Sequence, residues 1–162
     1  MVAFTLNGAA VAVEVPDTTP LLHALRGPLG LSGPRFGCGA EQCGACVVLV
    51  DGVPAYGCTL GTGAVAGRHV TTVEGLGTED APHPLQRAFL EEQAGQCGFC
   101  LSGILVAAAA LLAREPDPDE AAIRAALDPH LCRCGSHNRI LRAVRRAAAE
   151  MASGRRAPEP GA

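Results

Sequence analysis

The chain of 162 residues has a formal charge of −3, 3% aromatic residues and no tryptophan, so it offers neither the basic stripe nor the stacking side chains of a nucleic-acid binder. Its length allows one medium domain or two small ones, and small cores of that kind gain from a metal site that ties the chain together. The longest apolar run, Ile104–Ala113, falls short of the roughly 18 residues that span a bilayer, and no membrane insertion is expected. No Lys or Arg precedes Arg26 and Glu14 interrupts the early apolar residues, which argues against a cleavable leader. The expected compartment is the cytoplasm, with export in company of a partner left open.

Residues 2–6 and 9–15 are short apolar-rich runs joined by Asn7-Gly8, a pair suited to the positive φ angles of a type I′ hairpin turn. Thr19–Leu25 reads as a short helix with Thr19 as N-cap and Pro20 at its first position. From Gly27 to Gln42 no periodicity appears, and a structureless stretch of that length inside a compact domain calls for a function. Val47–Val50, Asp51-Gly52 and Val53–Tyr56 read as a second hairpin, and His69–Glu74 as a last strand. These elements predict a mixed sheet with one helix across it, a β-grasp layout over residues 1–77.

Gly75–His83 is a polar connector, and everything beyond it reads helical. Leu85, Ala88 and Phe89 recur at helical spacing after Pro84, with a stop expected at Gly95. A second helix is expected over Gly103–Arg114 with Ser102 as N-cap. A third opens at Asp117-Pro118-Asp119-Glu120, read as N-cap, first-turn proline and capping-box glutamate. The fourth, about His137–Met151, places Ile140, Leu141, Val144 and Ala148 on one face. The fold class is therefore α+β: a β-grasp domain, then a four-helix bundle over residues 78–152, then a disordered tail over 153–162.

The eight cysteines fall into two sets. Cys38, Cys43 and Cys46 have the spacing C-x4-C-x2-C among Gly37, Gly39 and Gly44, with Cys58 beyond the second hairpin; this is the plant-type 2Fe-2S ferredoxin spacing. A binuclear cluster needs two thiolates per iron and backbone N–H donors near its sulfurs, which a glycine-rich loop can supply. A four-cysteine zinc site is the main rival, although structural zinc favours two short knuckles over three ligands on one loop. Disulfides rank lower in a chain of this length.

The second set is Cys97-Gly98-Phe99-Cys100 and Cys132-Arg133-Cys134, and spacing alone leaves zinc open there. Each pair stands just before a predicted helix, whose N-terminal amides and dipole favour an anionic cluster. A redox-active Cys97/Cys100 dithiol is a third reading, without the thioredoxin-like context that would support it. No histidine has a Rieske-type pairing, so surface or packing roles are expected for all five. Gly61-Thr62-Gly63 with Gly67 fails the dinucleotide fingerprint, no P-loop exists, and no Ser-His-Asp or paired-carboxylate constellation stands out; no catalytic residue is assigned.

With both cysteine sets in place, the chain resembles the small iron–sulfur subunit of the molybdenum hydroxylases, the family of xanthine dehydrogenase, aldehyde oxidoreductase and carbon monoxide dehydrogenase. The resemblance covers residues 3–151 and rests on Phe36-Gly37-Cys38-Gly39, Gln42-Cys43-Gly44-Ala45-Cys46, Gln96-Cys97-Gly98-Phe99-Cys100 and Cys132-Arg133-Cys134-Gly135. Leu101-Ser102-Gly103 and Ser136–Ile140 depart from the xanthine dehydrogenase pattern and resemble the isoquinoline, nicotinate or aldehyde-oxidising branch.

The resemblance implies an oxidoreductase subunit with two 2Fe-2S clusters, on Cys38, Cys43, Cys46 and Cys58 and on Cys97, Cys100, Cys132 and Cys134. It implies a large partner subunit that holds molybdopterin, in its cytosine dinucleotide form, and that hydroxylates or oxidises an N-heterocycle or aldehyde. Gln96 and Cys134 match positions that approach the pterin, so the helical-domain cluster is the one nearer molybdenum. The electron acceptor is expected to be a cytochrome or flavin subunit. The alternative is a free-standing two-cluster ferredoxin-like carrier.

Overall fold

Both expected hairpins form, on turns that need left-handed backbone. A computed structural model describes the backbone of residues 1–156 and side chains as far as Gly154. Strand β1 (Val2–Leu6) pairs antiparallel with β2 (Ala9–Val13) across Asn7 and Gly8, at φ 50° and 86°. Strands β3 (Val47–Val50) and β4 (Val53–Tyr56) do the same across Asp51 and Gly52, at 50° and 80°. The last strand, β5 (His69–Thr71), is shorter than the expected run to Glu74. Asn7 withdraws Thr72 from the ladder: its Oδ1 accepts from Thr72 N–H at 2.9 Å and its Nδ2 donates to Thr72 Oγ1 at 3.0 Å. The chain then enters a 3-10 turn at Val73–Gly75.

The sheet order is β2-β1-β5-β3-β4, with β1 parallel to β5 and the other pairs antiparallel. One face packs on helix α1 (Leu21–Arg26): Leu21, Ala24 and Leu25 form a core with Val2, Phe4, Leu6, Val48, Val50 and Val70. All four β3 residues are buried, because Val47 and Leu49 point the other way and meet Val106 and Ala110 of the helical half. Helix α1 begins one residue later than expected. Pro20 holds the cap position with no side-chain cap, and Thr19 instead lends its carbonyl to the hydroxyl of Thr62 at 2.7 Å.

Four helices follow among the described residues: α2 (Pro84–Glu91), α3 (Leu101–Arg114), α4 (Glu120–Leu127) and α5 (His137–Arg156). They share one core that includes Leu85, Phe89, Ile104, Leu111, Ile123, Ile140 and Val144, and Val73 and Leu76 pack against it from the connector. None of the helices among the described residues is long and apolar enough to cross a membrane.

Helix boundaries differ from the sequence expectations in ways that have local causes. His83 caps α2, its Nδ1 accepting from Leu85 N–H at 3.1 Å while Gln86 accepts from His83 N–H at 2.8 Å. That helix stops before Gly95 because Gln93 turns left-handed at φ 48° and Ala94 N–H bonds back to Phe89 O. Ser102 lies inside the first turn of α3 and not at its cap, which is Cys100. Asp119, not Asp117, caps α4 by accepting from Ala122 N–H at 2.7 Å, since Pro118 turns into the interior first. Helix α5 continues through the expected start of the tail, 153–156 being helical; residues 157–162 lie outside the described residues.

Candidate metal centres

The first cysteine loop is wrapped on its own amides. Ala40 and Gln42 N–H donate to Cys38 Sγ at 3.3 and 3.2 Å, and Cys38 N–H donates to Cys43 Sγ at 3.3 Å. Those donors favour the thiolate and lower Cys38 to about 7, the Ala40 amide contributing most. Cys46 is buried, and burial pushes it up to about 12 with the Cys58 thiol adding to the effect. Thr59, next to Cys58, donates its hydroxyl to Glu41 and so closes the far end of the loop. Gly37 leaves the space that Cys43 takes: a side chain there would begin 2.6 Å from Cys43 Sγ.

The second set is assembled from two segments. Cys97 and Cys100 precede α3, while Cys132 and Cys134 lie on the link from α4 to α5. Cys97 is lowered by the Phe99 amide first and the Cys134 thiol second. Cys100 is pushed up to about 12 by burial, then by the Cys132 thiol. At Cys132 burial works upward, but the Ser136 amide, the Cys100 thiol and the Cys134 and Gly135 amides together outweigh it and the group is lowered. Gln96 Nε2 donates to Cys134 O at 3.3 Å, tying the two segments together at an exposed rim. Arg133 is exposed and joins no ion pair among the described residues.

The residues present fit binuclear clusters. The thiols are close in twos, Cys38 with Cys43 and Cys46 with Cys58, then Cys97 with Cys134 and Cys100 with Cys132. Two pairs per site match two thiolates per iron, and none of the eight is in a disulfide. Among the described residues, the buried side-chain atoms left without a hydrogen-bond partner are Ser102 Oγ, His130 Nδ1 and Ser136 Oγ, each two residues along the chain from a second-set cysteine. Buried polar groups normally find partners; Ser102 and Ser136 stand in the segments that carry the second-set thiols, while His130 Nδ1 lies beside Gly44 of the first loop.

A cleft of about 170 Å³ is lined by Cys38 and Cys43 of the first set together with Cys97, Cys100, Leu131 and Arg133 of the second segment pair. Arg35 of the first loop meets Phe99 of the second segment, its guanidinium 5.9 Å from the ring centroid. Sequence reasoning assigned no role to Arg35 and only a surface or packing role to His130; nothing in local spacing marks a contact between segments so far apart.

A mixed sheet with a glycine-wrapped cysteine loop, joined to a helical bundle with a second cysteine set, defines a two-domain 2Fe-2S protein. Residues 4–62 match the family described as 2Fe-2S iron-sulfur cluster binding domain, and residues 72–145 match the 2Fe-2S binding domain. The chain is 52% identical over 147 residues to one of the subunits of nicotinate dehydrogenase from Pseudomonas putida, covering 91% of this chain and 94% of that one. It is 50% identical over 153 residues to the alpha subunit of isoquinoline 1-oxidoreductase from Brevundimonas diminuta, covering 94% and 100%. Among solved structures it resembles quinoline 2-oxidoreductase from Pseudomonas putida 86, with TM-score 0.89, 35% identity and coverage of 94% of this chain and 95% of that one. It also resembles the aldehyde oxidoreductase from Desulfovibrio desulfuricans, with TM-score 0.90 and 37% identity over 94% of this chain and 17% of the other. The chain belongs to the family of 2Fe-2S iron–sulfur subunits of the molybdenum hydroxylases.

Proposed function

We propose that this chain is the fixed electron conduit of a molybdenum-dependent oxidoreductase, in which a large partner subunit holds molybdopterin and oxidises or hydroxylates an N-heterocycle or aldehyde. Cys38, Cys43, Cys46 and Cys58 hold one 2Fe-2S cluster, and Cys97, Cys100, Cys132 and Cys134 hold the other. Each cluster, when bound, accepts and passes on one electron at a time. The observation that carries the reading is one cleft lined by thiols of both sets, Cys38 and Cys43 from the first and Cys97 and Cys100 from the second.

The protein's own residues supply what such a conduit requires. Amides of Ala40, Gln42 and Phe99 stabilise thiolates, burial of Cys46 and Cys100 keeps water from one side of each site, and the packing of β3 on α3 fixes the two sites relative to each other. The exposed Gln96–Cys134 rim presents an amide beside the second site, and Arg133 adds a cation; a pyrophosphate-bearing pterin, in its cytosine dinucleotide form, suits that surface. The second site is thus the electron entry and the first the exit, towards a cytochrome or flavin subunit in the cytoplasm. Residues 1–77 form the first cluster domain, and the second runs from residue 78 through α5.

Anaerobically purified protein should hold about four irons and four acid-labile sulfides. Stoichiometric zinc without visible absorbance would overturn the ligation. Expression of the tagged chain in its native host should bring down a large molybdenum-containing subunit. Recovery of a lone monomer that reduces assorted acceptors would make it a free-standing carrier instead.

A further inference from the structure

The segment that leads into the second cysteine set is also a wall of the first. His130 lies between α4 and α5, yet it is only 5% exposed. Its ring occupies the space beside Gly44: a side chain built on Gly44 would meet His130 Nδ1 at 2.2 Å. On another side of the same peptide, a side chain on Gly103 would meet Gly44 O at 1.9 Å. The next residue, Leu131, donates its N–H to Cys43 O at 3.1 Å.

Gly44 stands between two cysteines of the first set, at φ 72°. The Cys43–Gly44 turn is therefore held by His130, Leu131 and the start of α3, all of them from the helical half. A buried imidazole set against the Gly44 backbone is a poor choice if only space needed filling, because an apolar side chain of similar size carries no desolvation cost.

We infer that His130 is a positioning residue for the first cluster, supplied by the domain that holds the second. Its imidazole fixes the Cys43–Gly44 turn, which sets the environment of the first cluster and the separation of the two. The inference rests on the ligation proposed above.

The test compares wild type, His130→Ala and His130→Asn, each as the full chain purified anaerobically with the subunits that accompany it. Asparagine carries a polar atom where Nδ1 branches from Cγ, so it is the conservative variant. Iron and sulfide are counted, each cluster's midpoint potential is read by EPR redox titration, and the magnetic interaction of the reduced clusters is read from low-temperature splitting. The first-set signal is the one that Gly37→Val removes.

His130→Ala should keep about four irons, shift the midpoint potential of the first-set cluster alone, and diminish the splitting. His130→Asn should return both towards wild type. Wild-type potentials and splitting in the alanine variant would overturn the inference, as would a shift confined to the second-set cluster. If the alanine variant loses iron, the asparagine variant decides: wild-type spectra support the inference, and lost iron or altered spectra sink it. Fewer than about four irons in the wild type would instead strike the ligation itself.

Discussion

Three of the four first-set thiols lie within the single loop Cys38–Cys46, whose own amides bond its sulfurs, whereas the second set is drawn from two segments that the helical core brings together. The first site is thus built mainly from local backbone geometry, and the second from tertiary packing. A loop-built site should fail when a single backbone position is filled and should tolerate a loosened core better than a core-built one, only its Cys43–Gly44 turn leaning on the helical half. A core-built site should do the reverse.

The sharpest break is Gly37→Val. A Cβ there would sit 2.6 Å from Cys43 Sγ, so the loop cannot close around its cluster. Iron should fall from about four to about two per chain, with the second-set EPR signal retained. Loss of both signals would show that the two sites assemble as one unit.

The converse change is Ile104→Ala in α3, at a position 1% exposed and four residues after Cys100. A large-to-small change in such a core costs about 2–5 kcal/mol. During thermal unfolding followed by visible circular dichroism, the second-set signal should bleach well before the first. Simultaneous bleaching would contradict the division into a loop-held and a core-held site.

Gln96→Ala tests the exposed tether of the second site. Removing one neutral hydrogen bond, from Gln96 Nε2 to Cys134 O, should lower stability by about 0.5–1.5 kcal/mol at most and leave both clusters assembled. Reduction of the second-set cluster by the partner's cofactor should slow, as read by rapid-freeze EPR of the complex with reducing substrate. Unchanged kinetics would remove the docking role from this rim.

The smallest effect concerns acid. Arg142 beside Glu92, at 3.0 Å, holds that carboxyl below its ordinary value of 4.5, with Arg146 adding to the shift. A depressed folded value contributes stability above the ordinary carboxylate range, and that contribution is lost as pH falls through the folded value. Glu92→Gln should flatten the acid dependence of helical-domain melting slightly and leave the first domain's unchanged. Equal changes in both domains would mean that the α2–α5 surface does not act on the second site alone.

The elements that were legible in the sequence share a short range. Asn7-Gly8 and Asp51-Gly52 specify hairpin turns because the backbone needs positive φ at those residues and nowhere else nearby. Leu85, Ala88 and Phe89, or Ile140, Leu141 and Val144, announce helices by spacing alone, and all of them are buried. Helix starts were less legible. Thr19, Ser102 and Asp117 are competent caps, but neighbouring prolines and packing handed the cap to Pro20, Cys100 and Asp119.

By itself the sequence determined two four-cysteine sets, the glycine loop around the first and the helices behind the second, since ligand spacing and turn chemistry act over a few residues. Tertiary structure alone decided the sheet order with β1 beside β5, the burial of β3 between α1 and α3, and the contact of Gly44 with His130 and Gly103. Those pairings join residues dozens of positions apart, and they are selected by how apolar faces and close backbone approaches fit together, which no local pattern records.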